Sequence, residues 1–323
     1  MDRAARLAGP LAQCLPLTVP ILSAPMAGIA GGALAAAVSR GGGLGLVGGG
    51  YGDRAWLERE LAIAGDARVG VGFITWALAQ SPDLLAVALD HRPAAILLSF
   101  GDVAPFAAAI ARAGVPLIVQ VQTVADARLA AAEGAAVIVA QGGEAGGHGG
   151  TRGTMALVPE VVDAVGAIPV VAAGGIADGR GIAAAFMLGA SGALCGTAFY
   201  AADESLAHAA GRAALLAATG DHTVKGRVFD IARRRAWPAD WTIRTLRNRF
   251  FDRWVDDPDG LKRQIDAAPD TIEAAARHGD TAVAPVIVGE AAGLIADTGA
   301  AATIVARLWA DTTSRMAEVA GLD

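Results

Sequence analysis

Of the five histidines in the chain, His148 stands where an imidazole could do chemistry. It lies within Gln141-Gly142-Gly143-Glu144-Ala145-Gly146-Gly147-His148-Gly149-Gly150, in which six of ten residues are glycine. That much backbone freedom is entropically costly in a plain loop. It makes sense where main chain passes close to a flat ligand and leaves one large side chain pointing at it. An imidazole with an ordinary pKa near ~6.5 can take a proton, give one, or orient an anion at neutral pH. Two further glycine sites follow, Ala173-Gly174-Gly175-Ile176 and Gly196-Thr197. Glycines leading into helix starts expose main-chain N–H groups, and together with the positive helix end they make a phosphate cradle that needs no lysine. The competing reading of these glycines is that they cap tight turns.

Other chemistries lack their signatures. There is no HExxH, paired-cysteine or carboxylate cluster for a metal. There is no Gly-x-Ser-x-Gly elbow, and Ser99, Ser191 and Ser205 have no partnered histidine in view. Cys14 and Cys195 form neither a disulfide framework nor a metal spacing, and read as reduced thiols. His91, His208, His222 and His278 lie in helix-like or surface text and read as solvated.

The elements that must position these residues repeat along the first 200 positions. Apolar runs recur at Pro20–Ala24, Leu44–Val47, Val69–Phe73, Ala95–Ser99, Leu117–Val121, Ala136–Ala140, Pro169–Ala172 and Ala193–Cys195. Between most of them, Trp56–Ala64, Asp83–Asp90, Val103–Ala113, Ala125–Glu133, Val158–Val165 and Arg180–Leu188 carry apolar positions at helical spacing. Strands apolar on both faces mean a parallel sheet covered by helices. Eight such units predict an α/β chain folded as a (β/α)8 TIM barrel. An open dinucleotide-binding sheet would show GxGxxG after its first strand, where this chain has Ala24-Pro25-Met26-Ala27-Gly28. In a barrel the reactive groups stand at the C-terminal strand ends. Those ends are Ala24, Pro25 and Met26, then Gly48–Gly50, Gly72 and Thr75, Gln122, the His148 loop from Gln141, Ala173–Ile176, and Gly196-Thr197.

Composition bounds the rest. The 323 residues are 54% hydrophobic and 18% charged with a net charge of −6, which argues against disorder and against global attraction to nucleic acid or acidic lipid. The mean hydropathy of +0.46 raises the question of a membrane span. Prolines 10, 16, 20 and 25 break the uncharged stretch Leu7–Ser39, and Gly181–Ala202 reads as helix, turn and strand. Asp2 and those prolines also spoil a secretory leader, so a cytoplasmic protein without membrane association is expected. Thirty-three of the 42 glycines lie at or before Gly196. Beyond about residue 205 the text changes, and Lys225–Arg263 holds eleven of the 26 basic residues with Trp237, Trp241 and Trp254. The expected organisation is a barrel of residues 1–210 and 280–323, with a smaller, mainly helical subdomain, 211–279, inserted over the active-site face. The cluster Arg233, Arg234, Arg235, Arg244, Arg247, Arg249 and Arg253 reads as a solvated face or dimer contact. Asp230, Asp240, Asp252, Asp256 and Asp257 balance it, and a nucleic-acid site is not expected.

Taken together, the His148 loop, the run Pro169-Val170-Val171-Ala172-Ala173-Gly174-Gly175-Ile176-Ala177-Asp178-Gly179-Arg180-Gly181, the pairs Gly189-Ala190 and Gly196-Thr197, and the opening Pro20-Ile21 to Gly28 resemble the nitronate monooxygenase family. The resemblance covers about Leu17 to Ser205 and, more loosely, Gly289–Ile295. It implies FMN held non-covalently in the barrel mouth. Ala24, Pro25 and Met26 would line the isoalloxazine, Gln122 and Gln141 would stand near its polar edge, and Gly175, Gly196 and Thr197 would hold the phosphate. Gly72, Gly146, Gly147, Ala173 and Gly174 complete the implied cofactor set. Gly72 departs from an asparagine found in many members, and Gln122 from a lysine found in some. The implied reaction is oxidation of alkyl nitronates by O2 to a carbonyl compound and nitrite, through one-electron transfer from nitronate to flavin. His148 would orient the nitro group, or act as base on a neutral nitroalkane, in a monomer or homodimer. Two alternatives share the barrel and cofactor, an NADH-dependent flavin enoyl-acyl-carrier-protein reductase and an NADH:quinone reductase. A third is a flavin-binding protein without turnover of its own.

Overall fold

A computed structural model describes residues 9–267 and 270–321. Asp2 and the first residues of the Leu7–Ser39 stretch lie outside the described residues. Eight strands form one parallel sheet: β1 (Ile21–Ser23), β2 (Leu46–Gly48), β3 (Gly70–Ile74), β4 (Ile96–Ser99), β5 (Leu117–Val121), β6 (Val137–Gln141), β8 (Val170–Ala173) and β9 (Gly192–Cys195). Their order is β1-β9-β8-β6-β5-β4-β3-β2, and nearly every strand residue is buried, as expected of a sheet enclosed by helices. The barrel closes where β1 meets the approach to β2. There Leu44 N donates to Ile21 O at 3.0 Å, Ser23 N donates to Leu44 O at 3.1 Å, and Leu46 N donates to Ser23 Oγ at 3.2 Å. The seam is thin, and a serine hydroxyl takes the place of one ladder carbonyl.

Each expected strand appears within one or two residues of its reading. The helix expected at Val158 begins earlier, at Thr154, and the helix Gly32–Arg40 went unread because alanine and glycine blur its period. Glycine also lets this helix pack tightly. A Cβ on Gly32 would sit 1.9 Å from Glu60 O, and one on Gly45 would sit 1.9 Å from Ala35 O. Part of the glycine excess therefore serves close approach of backbone to backbone in the outer ring. The stretch Gly181–Ala202 runs as helix, turn and β9, and no helix among the described residues is long and apolar enough to cross a membrane. The final helix, Ala301–Ala320, packs on Gly179–Met187 and Gly32–Arg40 and covers the closing side of the barrel.

The inserted segment has a core of its own, including Phe229, Ile243, Phe250, Phe251, Trp254, Leu261 and Ile272. It is less purely helical than the sequence suggests. Strand β10 (Thr223–Gly226) pairs antiparallel with β11 (Thr242–Leu246), and β11 pairs with β7 (Gly147–Gly149), which lies in the glycine loop of the barrel. β7 and β10 are three and four residues long and carry glycine, and β11 spans only five residues, so alternation gives little signal. Ser23→Ala should unpair the buried Leu46 N–H and lower unfolding stability by about 1–3 kcal/mol, read as a lower urea midpoint with an unchanged slope.

Candidate active site

A large cavity opens at the C-terminal ends of the barrel strands. Ala24, Pro25 and Met26 after β1, Gly72 on β3, Gln141 on β6, Ala173, Gly174 and Gly175 after β8, and Gly196 and Thr197 after β9 all line it. Gly146, Gly147 and His148 close one side. Gly72 is needed because a Cβ there would lie 2.3 Å from Pro25 Cγ. Gln122 does not line the cavity. Its Nε2 donates to Gln141 Oε1 at 2.8 Å, and Gln141 Nε2 donates to His148 O at 3.1 Å. Gln122 thus steadies a wall residue, and Gln120 is the glutamine of β5 that reaches the cavity.

The glycine loop divides into two uses. Gly146 and Gly147 face the cavity, but a Cβ on Gly146 would also lie 2.4 Å from the carbonyl carbon of Val288. Gly142 is pressed against Thr154 and Gly150 against Gln122, so much of the glycine density serves packing between protein segments. Glu144 anchors the loop by accepting from Thr154 N at 2.9 Å. After β8, Gly174 and Gly175 adopt φ of +97° and +70°, a region that favours glycine. The first turn of the helix that follows does not line the cavity: Asp178 caps it by accepting from Gly181 N at 3.0 Å, and Gly179 N donates to Asp311 Oδ2 at 3.0 Å. Thr197 Oγ1 accepts from Gly289 N at 2.9 Å, tying the β9 end to the returning tail.

His148 is set by its register in β7, where it pairs with Ile243 of β11. Its Nε2 lies 2.8 Å from Asp230 Oδ1, and its ring stacks on Trp237 with centroids 3.4 Å apart and planes 8° from parallel. Asp230 is only 2% exposed, which corrects its reading as a solvated counter-charge. It sits on the inward face of the helix Val228–Ala232. Sequence reasoning missed it because it lies 82 residues from His148. Burial pushes the His148 pKa below the ordinary 6.5, more strongly than Asp230 raises it, and nearby Arg233 and Lys225 add to the lowering. The surroundings on balance favour the neutral imidazole.

The basic residues of the insert also differ from expectation. Lys225 Nζ donates to Gly150 O. Arg244 donates to Gly143 O at 3.1 Å and pairs with Glu290 at 2.7 Å. Both clamp the glycine loop, so Arg244 departs from the solvated face expected of it, whereas Arg234, Arg235, Arg247, Arg249 and Arg253 are exposed. Arg233 lines the cavity and has no ion-pair partner among the described residues. Among the described residues no aspartate or glutamate lines the cavity itself, and Asp230 and Glu144 stand one layer behind its wall. Beyond His148 stands an aromatic wall that the sequence did not announce. Tyr51, Phe100 and Trp237 face the cavity, and Trp237 Nε1 donates to Tyr51 Oη at 3.1 Å. His91, His208, His222 and His278 are all exposed.

A parallel barrel with a buried imidazole on the wall of the cavity at its mouth has the form of a (β/α)8 enzyme. Residues 74–311 match the nitronate monooxygenase family, and the chain belongs to that family of oxidoreductases. It is 36% identical to "Nitronate monooxygenase npaC" of Metarhizium robertsii, over 91% of this chain and 92% of that protein. Among solved structures, FabK from Thermotoga maritima superposes with a TM-score of 0.85 at 29% identity, covering 97% of this chain and 98% of that one. Nitroalkane oxidase from Streptomyces ansochromogenes does so with a TM-score of 0.77 at 30% identity, covering 96% and 99%.

Gly146→Ala should force the glycine loop off the Val288–Gly289 backbone. The expected result is a loss of stability on the order of 1–3 kcal/mol, seen as a lower melting temperature.

Proposed function

We propose that this protein binds FMN in the barrel-mouth cavity and uses O2 to oxidise alkyl nitronates, and the corresponding nitroalkanes, to carbonyl compounds and nitrite. The observation that carries the reading is the buried imidazole of His148 on the cavity wall, 2.8 Å from Asp230 and stacked on Trp237. The cavity suits the cofactor in three ways. Gly146, Gly147, Gly174, Gly175 and Gly196 leave smooth wall where a planar ring and a phosphate need room. The Gln141 carboxamide offers a polar edge, and Arg233 on the wall supplies a positive charge for a dianion while Glu144 behind Gly175 is held by Thr154 N and Oγ1. Gly174, Gly175, Gly196 and Thr197 would hold the phosphate, Ala24, Pro25 and Met26 the face of the ring system, and Gln141 its edge. Bound there, FMN supplies the electron-accepting and O2-reactive centre.

The chain's own residues prepare the substrate. Arg233 attracts the anionic nitro group, and the aromatic wall excludes water from the reacting carbon. His148 orients the nitro group, or takes the α-proton of a neutral nitroalkane. A buried imidazole whose surroundings favour the neutral form is ready to act as base. Lys225 and Arg244 are spent on loop carbonyls, which removes them as contacts for an acyl-carrier arm and disfavours the enoyl reductase alternative.

Anaerobic mixing of the yellow protein with an alkyl nitronate should bleach the visible flavin band, while NADH should not. Bleaching by NADH alone would sink the proposal. His148→Ala should keep FMN bound while turnover of neutral nitroalkane falls by about 100-fold or more. Because the base must be unprotonated, kcat/KM for neutral nitroalkane should hold above the His148 pKa. It should fall as pH drops through that value, below 6.5.

A further inference from the structure

We propose that Asp230 is a positioning residue for His148, holding the imidazole as its Nε2–H tautomer so that Nδ1 is the base for the α-proton of a neutral nitroalkane. The proposal rests on the nitroalkane reading above. A carboxylate only accepts hydrogen bonds, so the 2.8 Å contact from His148 Nε2 to Asp230 Oδ1 requires the proton to sit on Nε2. Nδ1 then carries the lone pair. It has no hydrogen-bond partner among the described residues and is not one of the sealed polar atoms, so it opens to the cavity that His148 lines. The stack on Trp237 fixes the plane of the ring, and Asp230 fixes its rotation within that plane. Asp230 does not line the cavity, so it acts through His148 and not on substrate.

The environment of Asp230 points the same way. Its Oδ2 is buried without any hydrogen-bond partner, a costly arrangement for a carboxylate whose only service would be structural. A latch between insert and loop already exists in the β7–β11 pairing, the Lys225 contact and the Arg244 contact. The carboxylate adds what those cannot, a negative charge beside the imidazole. In the step itself the α-C–H bond breaks, its electron pair delocalises onto the nitro oxygens to give the nitronate, and the proton moves to Nδ1. The imidazolium so formed faces Asp230, which favours it, while burial, Arg233 and Lys225 oppose it. A nitronate supplied ready-made needs no such base.

The test compares wild type with Asp230→Asn on nitroethane and on ethyl nitronate. It adds 15N NMR of histidine-labelled holoprotein, with the His148 signals assigned from His148→Gln. Asp230→Asn should lower kcat/KM for nitroethane by roughly 10- to 100-fold. The ratio of nitronate to nitroalkane activity should rise by a similar factor. Its acid limb should move to lower pH, because the carboxylate that raised the His148 pKa is gone. Asp230→Glu should restore part of the nitroethane rate. Wild-type His148 should show the Nε2–H tautomer at pH 7. An Nδ1–H tautomer, or equal loss on both substrates, would overturn the proposal. If wild type turns over neither substrate the nitroalkane reading fails, while the tautomer still decides whether Asp230 sets the ring.

Discussion

Everything distinctive about this site depends on the register in which β11 meets β7. Ile243 stands opposite His148, and a shift of one residue would turn the imidazole away from the cavity. β7 is three residues of glycine loop with one side chain, and such a segment has little register preference of its own. The insert supplies it. Arg244 and Lys225 pin loop carbonyls on either side, and Asp230 and Trp237 hold the ring from its edge and its face.

That dependence explains why the insert is more than a cover. The barrel provides a floor of glycines and small residues, which many chemistries could share. The insert and the loops after β2 and β4 then add Trp237, Tyr51 and Phe100, while Arg233 remains unpaired at the wall. Burial of His148 under these groups favours its neutral form. The environment of this imidazole thus arises from the packing of two cores against one loop.

Much of this was legible beforehand. Apolar runs and glycine positions located the eight barrel strands to within a residue or two, because parallel strands buried on both faces leave a dense local signal. His148 could be singled out because its glycine frame is local too. Gln122 was placed at the cavity because it ends a strand, whereas its side chain turns to Gln141. Asp230 was set among solvated charges because it sits in a basic, acid-interspersed segment. Nothing local distinguishes it from Asp240 or Asp252, which are exposed.

By itself, then, the sequence determined the parallel barrel, the mouth at which its glycines gather, and the one histidine placed there. These are short-range properties, written in hydrophobic period and backbone freedom. Only the tertiary structure decided which acid meets that histidine, which tryptophan stacks on it, and which cations are consumed by main-chain carbonyls. Those choices join residues some 80 positions apart, such as His148 and Asp230, through two separately packed cores. Spacing along the chain carries no information about such a meeting.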